Sequence, residues 1–217
     1  MKKLVALIFL CFGFLITFKY YTGAYLTPND FDNKVKTKLE VFQLTEENYF
    51  KELSNSNNIS VDKLKDKIGE IKNRYEKEIR KDGEIIIKNR KYEYKKIRFV
   101  DVLVSNKDSN CKVVSECLAV VFKSGLYKEI IYVDGARVSI EGEKGLSWEK
   151  GDIRCRTINN NTSIFISGTG YVQGDIFSKF CKQYKNSGFS IEESKWKNCK
   201  VSKFYILQHT YNLLSDF

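Results

Sequence analysis

The chain has 217 residues, 37 basic and 27 acidic side chains, and a net charge of +10. Hydrophobic residues make up 42% and charged residues 29%, which excludes a disordered tail and a multi-span membrane protein. One proline in the whole chain excludes collagen-like and proline-rich linker classes.

Met1-Lys2-Lys3 is followed by an uncharged run from Leu4 to Phe18. A basic start and an apolar run are the plan of a secretory signal. Leu, Ile and Phe occupy every face of that run, so no polar stripe remains for a core helix. The run stops at Lys19 but extends to Leu26 if Lys19 snorkels, with Tyr20, Tyr21 and Tyr25 at headgroup level. We read residues 1–26 as an uncleaved signal anchor, with residues 27–217 outside the cytoplasm. The alternative is cleavage after Ala24, which follows the small residues Thr22 and Gly23 and would give a secreted or periplasmic product.

Residues 27–59 read as a tether and a short helix. VKTKLEVFQL leaves the membrane, and Thr45-Glu46-Glu47 opens a helix that SNSNN ends after about Leu53. Ser60 caps the next helix. Val61, Leu64, Ile68, Ile71 and Tyr75 then recur at helical spacing as far as Ile79, and Lys81-Asp82-Gly83 is the stop.

From Glu84 the period changes. EIIIK, YEYKKIRFVDVLV, KVVSECLAVVF, EIIYV and ARVSIE are strand-like, and Asp134-Gly135 predicts a hairpin between the last two. Gly142, Gly145 and Gly151 mark a looser stretch around Trp148. DIRCRTI and TSIFISG predict strands around Asn159–Asn161, and Ser167-Gly168-Thr169-Gly170 predicts a turn. Val172 to Tyr184 reads as a helix ended by Asn186-Ser187-Gly188, and Lys200 to Gln208 as a last strand. Residues 60–217 thus form one α+β domain, with amphipathic helices packed on an antiparallel sheet of six or seven strands.

Cys11 lies in the apolar segment, and Cys111, Cys117, Cys155, Cys181 and Cys199 lie in the exported part. An oxidising compartment makes these five the disulfide candidates. Two bridges leave one thiol over, and sequence does not select among the arrangements. One bridge from the β part to the 176–186 helix, such as Cys155–Cys181, is the preferred expectation. The spacings fit no zinc pattern, and His209 is the single histidine. No metal or cofactor is expected.

Any serine or cysteine catalysis would run through His209, which lacks a recognisable nucleophile and acid beside it. Asp101, Glu116 and Asp134 are candidate carboxylates for glycan hydrolysis, but nothing in the sequence pairs two of them. No catalytic residue is therefore assigned, and the chain reads as a non-enzymatic binding protein of the cell envelope. Inhibitor, immunity or exclusion protein, and accessory subunit all fit. An envelope glycan hydrolase is the alternative.

The positive charge sits in residues 60–98, at +6, and residues 176–204, at +5. It would suit an anionic lipid or polymer. Thirty of the 37 basic residues are Lys, which argues against a dedicated phosphate reader, so nucleic acid is not the expected partner.

Overall fold

The computed structural model describes residues 35–81, 90–106, 109–193 and 197–215. The anchor reading of Leu4, Phe18 and Leu26, the thiol of Cys11 and the expected EIIIK strand lie outside the described residues. No helix among the described residues is long and apolar enough to cross a membrane.

The described residues form nine strands in two antiparallel sheets and three α-helices, so the fold is α+β. The expected single sheet is instead two. The first takes β1 (Lys36–Leu44), β2 (Lys91–Ser105), β3 (Asn110–Ser124) and β4 (Tyr127–Val133) in that order, with β5 (Arg137–Gly142) also on β3. The second has the order β6 (Leu146–Ile158), β7 (Ser163–Phe177), β9 (Asn198–Asn212), β8 (Ser190–Glu193). The helices are α1 (Glu46–Asn57), α2 (Val61–Lys81) and α3 (Cys181–Asn186).

Part of the expected tether belongs to the domain. Lys36–Leu44 pairs residue by residue with Tyr94–Val102 as an edge strand of the first sheet. Its lysines hid it, yet Lys on an edge is a usual guard against pairing with another chain. Thr45 caps α1 by accepting from the Asn48 amide at 3.3 Å. The SNSN segment extends this helix to Asn57 instead of breaking it. The Ser56 hydroxyl and Asn57 amide donate to the Glu52 and Leu53 carbonyls, and the helix ends at Asn58 in the left-handed region.

The Asp134-Gly135 hairpin does not form. β4 and β5 lie end to end along β3, opposite Ala119–Ser124 and Cys111–Glu116 respectively. Gly135 is not at positive φ, as a type I′ turn would need. The Asp134 amide instead donates to the Leu118 carbonyl at 2.8 Å, and its carboxylate holds Arg137 and the Asn57 amide. The tight turns are at Gly125, between β3 and β4, and at Asn159-Asn160-Asn161, between β6 and β7, all four residues at positive φ.

Val172–Phe177 is strand, not helix. β7 pairs with β9 from Ser163 through Phe177, and the helix begins only at Cys181. Val172 and Ile176 face inward while Tyr171 and Phe177 face out, a period of two. Ser167–Gly170 sits within this strand and is not a turn. Its glycines answer a close approach: a Cβ on Gly170 would meet the Trp148 ring at 2.4 Å.

β3 is the centre of the molecule. Cys111, Val113, Cys117, Ala119 and Val121 join the core shared with Ile164, Ile166, Val172, Leu207 and Tyr211 of the second sheet. Leu118 and Val120, on the opposite face, join Tyr49, Phe50 and Leu53 of α1, and Leu64 and Ile68 of α2. The fold is therefore three layers: helices, first sheet, second sheet. Tyr75, Tyr92 and Tyr127 enclose Phe122 edge-on at 5.3, 5.7 and 6.2 Å.

Leu118 is 1% exposed and is the helix layer's contact at the middle of β3. Leu118→Ala is expected to cost about 2–5 kcal/mol in urea unfolding, because the void cannot close between two packed layers.

Candidate binding face and the buried polar seam

The structure pairs two residues that the sequence could only name separately. Asp101 is 0% exposed in β2 and points at the second sheet. It accepts from the Thr37 hydroxyl of β1 at 2.6 Å, the Tyr205 hydroxyl of β9 at 2.9 Å, and His209 Nε2 of β9 at 2.8 Å. The imidazole stacks on Phe99 with centroids 4.6 Å apart. Further along the same face, buried Lys95 donates to the Tyr211 hydroxyl at 3.1 Å.

One carboxylate thus joins three strands in two sheets. Three donors satisfy a buried charge that would otherwise be very costly. Among the described residues, no hydroxyl or thiol is hydrogen-bonded to His209 Nδ1, the position a nucleophile would take. The arrangement clasps the two sheets together through one carboxylate.

The other candidate carboxylates are also engaged. Glu116 lies on the helix-side face of β3 and pairs with Lys96 at 3.5 Å and Arg98 at 3.3 Å. Asp101 and Glu116 therefore face opposite sides of the first sheet. Asp134 is held by Arg137 and Asn57.

The thiols separate clearly. Cys181, at the start of α3, is bridged to Cys199 of β9, with Cα atoms 6.6 Å apart. This corrects the expected Cys155–Cys181 pair. On β7, the residue opposite Cys155 is Ile166 and the residue opposite Cys199 is Ile176, ten positions or about 33 Å away. In the structure Cys111, Cys117 and Cys155 are unbridged. Burial pushes the Cys111 thiol from 9.0 up to about 12.

The outer face of the second sheet was not anticipated. Register places Glu149, Tyr171 and Phe204 in one row across β6, β7 and β9, and Asp152, Thr169 and Ile206 in the next. Tyr171 and Phe204 pack edge-on at 5.3 Å, and these rings stay 39% and 52% exposed. Ile206 is 43% exposed. Beside them a bulge between Glu149 and Asp152 opens a shallow depression of about 300 Å³, lined by Asp152, Arg154, Ser167, Thr169, Ile206 and Gln208. Asp152 and Arg154 pair at 3.0 Å but are both well exposed, so the pair holds little and is open to a partner's charge. Arg156 lies over Phe165 at 5.6 Å, extending the same face.

The signal for this face is Phe204-Tyr205-Ile206-Leu207. A strand with one wet face should alternate, and this run does not. It reads as a strand covered on both sides, yet among the described residues one side is bare.

No protein-family model matches the chain, and no curated protein and no solved structure is similar to it.

Two outcomes follow from the interior. Asp101→Ala strips three donors of their acceptor and should lower stability by about 3 kcal/mol, measured in urea, with Asp101→Asn losing less because it can still accept from Thr37. The Cys111 thiol ionises near pH 9 when unfolded and only near 12 when folded. Stability from this group is therefore intact below pH 9 and should fall by about 1.4 kcal/mol per pH unit from there towards 12. Cys111→Ser should flatten that slope in pH-dependent unfolding.

Proposed function

We propose that the chain is an exported, membrane-anchored binding protein of the cell envelope, of the inhibitor, immunity or exclusion, or accessory-subunit type, and that the outer face of β6–β7–β9 is its docking surface. The observation that carries this reading is the exposed Tyr171–Phe204–Ile206 strip. The solvent face of an antiparallel sheet is ordinarily polar. Contiguous exposed aromatic and aliphatic side chains beside arginines have the composition of an interface core.

The compartment rests on the sequence. Lys2 and Lys3 before the apolar run from Leu4 to Phe18, extended to Leu26, support an anchor with the domain outside. The five cysteines beyond it support an oxidising location. The exposed lysines of α2 would suit an anionic lipid or polymer as a second contact. The alternative, an envelope glycan hydrolase, has less support: the depression beside the aromatic strip holds one carboxylate, Asp152, among its lining residues.

Crosslinking in the native envelope, with a photoreactive side chain at position 208 beside the strip, tests the reading. A discrete adduct is expected. Tyr171→Ser with Phe204→Ser should reduce its recovery about tenfold or more. The same two changes should cost only about 1 kcal/mol of stability, since a cross-strand pair on a wet face contributes little to folding. A chain that yields only monomer under mild extraction would overturn the proposal.

A further inference from the structure

We propose that Cys117 and Cys155 form a second disulfide, which staples the two sheets together. Cys117 is in the middle of β3, fully buried, and faces the second sheet. Cys155 is on β6, half-buried, and packs against that same core. β6 starts four residues after β5 and ends at the Asn159–Asn161 turn, where the Asn161 carbonyl accepts from the Ile130 amide of β4 at 2.8 Å, so its middle, with Cys155, passes the β4–β5 junction that lies opposite Cys117 on β3.

The neighbours of Cys117 favour a short crossing. On the same face of β3, the residues two before and two after it are Ser115 and Ala119, both small and both 0% exposed. Facing sheets ordinarily pack about 10 Å apart, and a bridge needs Cα atoms within about 7 Å, so small side chains at this point matter. No other pairing competes. Cys181 and Cys199 are joined to each other. Cys111 lies six residues before Cys117, about 20 Å away along a strand. It sits by Tyr184 and Lys203 instead. The five cysteines then resolve into two bridges and one buried thiol, Cys111.

The chemistry balances through a disulfide-donating oxidant, such as an oxidised dithiol protein or oxidised glutathione. Cys155, the more accessible thiol, attacks one donor sulfur as its thiolate and expels the first donor thiol. Cys117 then attacks Cys155 Sγ in the mixed disulfide and expels the second. Two hydrogens leave the protein, and the donor disulfide takes up two electrons and two protons. The neighbouring Cys155 thiol and burial both disfavour the Cys117 thiolate in the folded interior, so this second step belongs to folding, while the sheets are still open.

The pairing rests on the fold, and its occurrence in the cell rests on the export proposed above. The full-length chain, unfolded in urea with detergent and refolded in a glutathione redox buffer, should give a proteolytic peptide linking Cys117 to Cys155, a second linking Cys181 to Cys199, and alkylation at Cys111. Cys111→Ser should leave both links in place. Cys117 and Cys155 recovered as separate thiols or glutathione adducts, while Cys181–Cys199 is closed, would overturn the pairing. Should refolding fail, oxidised glutathione added to the natively purified chain in urea just below its unfolding midpoint, where the sheets open and reclose, gives the same readout. A link that forms in vitro but is found as two thiols in protein from the native host would keep the pairing and count against export.

Discussion

β3 has no wet face through most of its length. Val113 and Val114, then Cys117 through Phe122, are buried without interruption, and the side chains alternate between two different cores. This requirement organises the molecule. Apolar side chains on both sides of one strand need two covering layers. α1 and α2 supply one and the second sheet supplies the other. The Asp101 clasp sits one strand away and joins β1, β2 and β9 with hydrogen bonds that an apolar contact could not direct. Non-directional burial sets the layering, and the carboxylate sets the register in which the layers meet.

Elements governed by local pattern were legible in the sequence. α2 announced itself by its stripe, and β2, β3 and β4 by β-branched and aromatic runs. The Asn159–Asn161 turn followed from residues that tolerate the left-handed region. Elements governed by partners were not. β1 carries Lys36 and Lys38, which suit an edge, and only its pairing with β2 marks it as strand. Val172–Phe177 contains Gly174, which disfavours a helix, but its strand is fixed only by β9, which lies more than twenty residues further on. Asp134-Gly135 has the chemistry of a hairpin, but Arg137, Asn57 and the Leu118 carbonyl hold it in an extended connection.

The sites divide in the same way. His209 and Asp101 were named as residues, but their contact spans 108 positions and no local signal carries it. The disulfide partner of Cys181 depended on which end of β7 Cys155 of β6 and Cys199 of β9 lie opposite. The outer face could have been found from Phe204–Leu207, where four consecutive apolar residues occupy a strand that has only one core to fill. Stability and surface chemistry are thereby separated in this fold. The clasp and the two cores are sequestered, and the aromatic strip stands on a face whose composition the interior does not constrain.

The strand order of the second sheet has a consequence for the sequence of events in folding. β8 precedes β9 in the chain but pairs only with it, and β9 enters between β7 and β8. Until β9 arrives, β7 has one open hydrogen-bonding edge, and the inward faces of β6 and β7 have no finished sheet to belong to. In the first sheet β2, β3, β4 and β5 are joined by short connections, and only the edge strand β1 waits on a partner beyond the two helices. Assembly is thus ordered by topology: β2 to β5 can condense from near neighbours, while the second sheet is completed by an insertion. During that interval the unpaired edge of β7 is the segment open to wrong partners, and a holding chaperone would find its target there.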